Sequence, residues 1–190
     1  MMIMRAVLLF GLTLAFFFNG ILTGTGGPAP TTGFELSAKT SQSVECNGAG
    51  AIPPASLVEF TLAPDNGKDF FDLSLVDGFN LPLTITPQGG SGPNCTTTRC
   101  QGDVNSVCPS ELAIKGSGGD VIACKSACLA LNEPQYCCTG SFGSPDTCKP
   151  SNSSNIFKGM CPQAYSYAYE DRTSTFTCSG GANYDIVFCE

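Results

Sequence analysis

Twelve cysteines in 190 residues, eleven of them between Cys95 and Cys189, constrain this chain more than any other feature, because histidine and tryptophan are both absent. Zinc sites built from cysteine alone favour paired C-x-x-C knuckles, and the sequence contains none. Disulfides are therefore the expected fate. Cys137 and Cys138 are adjacent, and a bridge within such a pair is strained, so each must reach elsewhere. Cys124 and Cys128 fall one helical turn apart in DVIACKSACLAL, which directs both off one helix face toward partners outside it. At about 2–4 kcal/mol each, five or more bridges can hold a domain with few helices and many loops. The missing histidine excludes Ser/His and Cys/His nucleophilic systems.

The length fits a single domain once a leader is subtracted. Charged residues make up 13% of the chain, the formal net charge is −7 and the sequence pI is near 4.4, which argues against a nucleic-acid partner. The N-terminus MMIMRAVLLFGLTLAFFF carries one cation, Arg5, before an apolar run from Ala6 to Phe18. It reads as a secretory signal over residues 1–24, with cleavage between Asn19 and Gly26. The run is shorter than the ~20 residues that span a bilayer. Two sequons, Asn94-Cys95-Thr96 and Asn152-Ser153-Ser154, suit the same route.

Strand character dominates from Thr31 to Thr86. SLVEFTL places Val58, Phe60 and Leu62 on one face and Glu59 and Thr61 on the other. After the turn signal Pro64-Asp65-Asn66-Gly67, FFDLSLV alternates again, with Phe71, Leu73 and Leu75 opposite Asp72 and Ser74. A hairpin centred between Asp65 and Asn66 sets Glu59 across from Asp72. Asp77-Gly78 makes a second turn, and FNLPLTIT opens a further strand with Phe79, Leu81, Leu83 and Ile85 on one side. Three acids, Glu59, Asp72 and Asp77, thus collect on one sheet. Beyond Pro87 the texture turns to Gly, Ser, Pro and Cys. One helix is expected from about Asp120, its N-cap, to Leu131, ended by Asn132-Glu133-Pro134. STFTC and YDIVFCE return to strand character and are expected to complete the first sheet.

These residues carry a resemblance. The blocks GFELSAKTSQSV, CNGAGAIPPASLVEFTL, DFFDLSLVDGFNLPLTITPQGGSGPNC, CKSACLALNEPQYCC, SPDTCKPS, FKGMCPQAYSYAYEDRTSTFTC and YDIVFC, in this order, resemble a plant thaumatin-like protein of the pathogenesis-related group over nearly all of residues 20–190. The resemblance implies a mainly β fold over residues 25–190: a β-sandwich bearing a disulfide-rich, partly helical lobe at about 95–161, with an acidic cleft between them. It implies the bridges Cys95–Cys178, Cys100–Cys161, Cys108–Cys124, Cys128–Cys137 and Cys138–Cys148. For the cleft it implies Glu59, Asp72 and Asp77, with a last acid at either Glu170 or Asp171.

The chain also departs from that pattern. Between Val44 and Glu45 the family carries about thirty more residues, including the cleft arginine and three cysteines, and its first strand is here replaced by the hydrophobic leader. Cys46 and Cys189 are left without family partners, either unpaired or paired with each other, and the loss bears on folding as well as on the cleft. The function implied is that of a secreted, apoplastic plant defence protein, antifungal, monomeric, and binding fungal β-1,3-glucan in the acidic cleft, with the fungal wall or membrane as target. Glu59, Asp72, Asp77, Phe79, Glu170 and Asp171 are the binding candidates, and Phe79, Tyr165, Tyr167 or Tyr169 would stack on sugar rings unless they belong to the core. The alternatives are a weak endo-β-1,3-glucanase, with Glu59 as acid and Asp72 or Asp77 as partner at the ~5–5.5 Å spacing of retaining glycosidases, and a protein-binding or inhibitor module on the stapled loops. No metal and no cofactor is expected.

Overall fold

The computed structural model describes residues 3–6, 13–16, 52–63, 67–100 and 102–189. Ten strands are present among them: β1 (Ile3–Ala6), β2 (Thr13–Phe16), β3 (Leu57–Thr61), β4 (Lys68–Ser74), β5 (Leu83–Gln88), β6 (Thr98–Arg99), β7 (Ala113–Lys115), β8 (Val121–Cys124), β9 (Phe176–Ser179) and β10 (Asn183–Phe188). Two four-stranded sheets, β1-β10-β5-β6 and β2-β3-β4-β9, form a sandwich, and β7 pairs with β8 in the lobe. The helices are short: α1 (Ala127–Leu131), α2 (Pro134–Cys137), α3 (Asn152–Met160) and α4 (Asp171–Ser174).

The period-two patterns do what they predict. In β3 and β4 the residues Val58, Phe60, Phe71 and Leu73 are buried, and they meet Ile85, Tyr184 and Ile186 from the opposite sheet. Tyr184 is the hub between the sheets. Its ring lies 4.9 Å from Phe60 and 5.1 Å from Phe71, and its hydroxyl donates to Asp69 Oδ2 at 2.8 Å. Asp69 Oδ1 accepts from the Ala63 backbone N–H at 2.9 Å, so this buried carboxyl is held by two donors.

Three expectations change. The helix expected over 120–131 is β8 followed by the shorter α1. Val121, Ala123 and Cys124 pair across to β7, with Ile122 at a register irregularity, and both Val121 and Ile122 are β-branched; the cap is Ser126, whose side chain accepts from the Leu129 N–H, rather than Asp120. Cys124 and Cys128 therefore sit on different elements. The strand expected from Phe79 begins only at Leu83, because Asn80 is drawn into reciprocal hydrogen bonds with Ser56, and Leu81 is left exposed. The two C-terminal strands do not complete one sheet: β9 joins β4 and β10 joins β5. Two pieces of the N-terminal segment read as a leader pair as edge strands, β1 with β10 and β2 with β3.

The five bridges join the pairs expected, Cys95–Cys178, Cys100–Cys161, Cys108–Cys124, Cys128–Cys137 and Cys138–Cys148. Cys189 is a free, exposed thiol, and Cys46 lies outside the described residues. Among the described residues no helix is long and apolar enough to cross a membrane.

Candidate functional site: an acidic cleft

The sandwich meets the rest of the chain along β4. Leu75 N–H donates to the Tyr165 carbonyl at 2.8 Å and Tyr165 N–H donates to that of Leu73 at 2.8 Å, which lays the segment 164–175 over the end of the strand. Phe79 and Cys124 exchange two further backbone bonds of 2.8 Å. At the intervening turn Gly78 has φ +96°, and an added Cβ would lie 2.6 Å from the Cys124 carbonyl oxygen, so only glycine fits beside Asp77.

Between these walls is a cleft of about 470 Å³ whose lining includes Glu59, Asp72, Asp77 and Asp171. The hairpin register sets Glu59 opposite Asp72, as the turn signal predicts. Asp72 is half-buried, and burial, followed by the Glu59 charge, a hydrogen bond with Glu59 and the Asp171 charge, pushes its carboxyl up to about 8. Its Oδ1 is buried without a hydrogen-bond partner. The pair thus holds a proton at neutral pH, with the Asp72 O–H shared toward Glu59. Among the described lining residues none is Lys or Arg.

The choice left open by the sequence is resolved by position. Asp171 lines the cleft and accepts from the Tyr165 hydroxyl at 2.8 Å. Glu170 turns the other way, accepting the Ser166 N–H at 2.5 Å and pairing with Lys158 Nζ at 3.4 Å. Burial raises the Tyr165 hydroxyl's pKa, so it stays a donor. Phe79 is 0% exposed in the core and cannot stack on a ligand, a correction that follows from its two bonds to Cys124. Tyr165 lines the cleft, Tyr167 faces a separate cavity beside Ser126 and Phe157, and Tyr169 is half-buried. Ser74 and Phe70 are among the lining residues not expected as binding candidates, although the β4 alternation places both on the face of Asp72. Among the described residues no cluster could hold a metal ion.

A mainly β sandwich with a stapled lobe and an acidic cleft defines a class, and the chain matches the thaumatin family over residues 18–190. It belongs to that family. It is 53% identical over 207 residues to thaumatin-like protein 1 of Pyrus pyrifolia, covering 90% of this chain and 84% of that protein. The aligned length exceeds this chain's own 190 residues, so the relative carries internal residues without a counterpart here. The chain is also 59% identical over 149 residues to the glucan endo-1,3-beta-glucosidase of Prunus avium, covering 78% of this chain and 60% of that protein. To pathogenesis-related thaumatin-like protein 3.5 of Cryptomeria japonica it is 57% identical over 146 residues, covering 77% and 58% respectively.

Proposed function

We propose that this thaumatin-like protein is an exported, monomeric plant defence protein that binds fungal β-1,3-glucan in the acidic cleft and so disturbs the fungal wall or membrane. The observation that carries the reading is the cleft itself: Glu59, Asp72, Asp77 and Asp171 gathered with the Tyr165 ring and no cation among the described lining residues. Carboxylates without a basic partner are open acceptors for sugar hydroxyls, and an aromatic edge beside them supplies apolar contact. Export accords with five bridges, which need an oxidising compartment to form. Wild-type protein is expected to be retained on insoluble β-1,3-glucan, with retention falling at least several-fold in Glu59→Ala and Asp72→Ala. Retention unchanged in both variants would remove the cleft from this reading.

Weak endo-β-1,3-glucanase activity is the second reading, favoured by the protonated Asp72 and by the name of the Prunus avium relative. Asp72, rather than Glu59, is then the general acid. In that reading Glu59 helps keep Asp72 protonated, which leaves the base or nucleophile to another carboxylate. Asp77 or Asp171 takes that role. Reducing-sugar release from laminarin that survives Asp72→Asn would exclude this assignment.

A further inference from the structure

On the outward face of β4, burial falls steadily from one end to the other. Ser74 is 4% exposed beneath the Tyr165 bridge, Asp72 is half-buried, and Phe70 is 45% exposed. The cleft therefore opens toward Phe70, which lines it together with Glu59, Thr61 and Asp72. The register places Thr61 of β3 on one side of Phe70 and Thr177 of β9 on the other. A large apolar ring held at the surface between two hydroxyl-bearing residues gains nothing from the core. It does match the two surfaces of a pyranose, whose C–H face packs on an aromatic ring while its rim hydroxyls bond to polar neighbours. Phe70 and Asp72 are two residues apart on one strand, a spacing of ~6.8 Å, so a ring over Phe70 leaves the next sugar above the acid pair.

We propose that Phe70, flanked by Thr61 and Thr177, is the stacking platform of a second sugar subsite, which takes the pyranose adjoining the one held at Glu59 and Asp72. The proposal rests on the glucan-binding reading and adds a residue and a subsite to it. The chain has no tryptophan, so Phe70→Trp installs a single fluorescent reporter at the platform. Titration of that variant with a β-1,3-linked glucose hexasaccharide is expected to shift its emission to shorter wavelength. Calorimetry with the same hexasaccharide is expected to give near wild-type affinity for Phe70→Tyr and about a tenfold loss for Phe70→Leu, which keeps the apolar bulk but not the ring. Thermal melts that coincide with wild type separate this loss from unfolding. If Phe70→Leu binds as wild type while Glu59→Gln is weakened, the platform is wrong and the cleft reading stands. If the Phe70→Trp emission stays fixed at saturation, the platform is likewise wrong. If wild type does not bind the hexasaccharide at all, both fall together.

Discussion

Asp72 shows how a carboxyl is made to keep its proton. Partial burial, the Glu59 charge across the hairpin and the Asp171 charge all oppose ionisation, and the group moves from the ordinary range near 4 up to about 8. Between those values the folded protein binds a proton that the unfolded chain has released, so the contribution of Asp72 to stability is lost as pH rises from about 4 to about 8. Asp72→Asn removes the titration. The variant is expected to gain thermal stability over wild type at pH 8 and to match it at pH 4, measured by melts across that range; a gap that is the same at both pH values would contradict the assignment. The pairing with Glu59 was legible, because hairpin symmetry about Asp65 and Asn66 fixes it. That two acids so close push one pKa up was legible as well; that the raised one is Asp72 was not, since burial is its largest cause and depends on how deeply segment 164–175 covers the strand.

That segment is the element on which the cleft depends. It has little regular structure of its own, and Lys158 on α3 holds it: Nζ donates to the Ala164 carbonyl at 2.9 Å, Thr173 Oγ1 at 3.1 Å and Ser174 Oγ at 2.8 Å, and pairs with Glu170. Burial lowers the Lys158 pKa against the opposing pull of Glu170. Lys158→Ala leaves Glu170 without its cation and is expected to cost about 2 kcal/mol in denaturant unfolding. It should also weaken glucan retention, because Tyr165 and Asp171 lose their support. A loss of stability with retention intact would show that the segment's position does not matter to the cleft. Sequence order could not reveal this arrangement, since Lys158 and Ser174 are brought together only by the fold. Over 120–131 the cysteine spacing suggested a helix, yet β7 offered Val121, Ala123 and Cys124 partners, and pairing prevailed over periodicity.

Across the molecule the bridges distribute the stapling. Cys95–Cys178 links the loop after β5 to β9 of the other sheet, and Cys100–Cys161 ties the end of β6 to the end of α3. Cys189 stands outside this network. Native alkylation followed by non-reducing mass spectrometry of protein collected from the secretory route is expected to label Cys189 and none of the ten bridged cysteines. The same spectra report the mature N-terminus, expected between Asn19 and Gly26 if the leader is removed. Cleavage there takes β1 and β2 away and bares the edges of β10 and β3, so a retained Met1 would show that these strands belong to the working fold.

The sequence by itself determined the class of fold, the two core-facing stripes of the β3–β4 hairpin and the Glu59–Asp72 pairing, because these follow from local alternation and turn geometry. Through its likeness to the family it also carried the five bridges. Only the packed molecule decided that Phe79 is core, that Asp171 rather than Glu170 faces the cleft, and that Phe70 lies at the open end. These depend on which surface the 164–175 segment covers, and burial of that kind arises from contacts between residues distant in the chain.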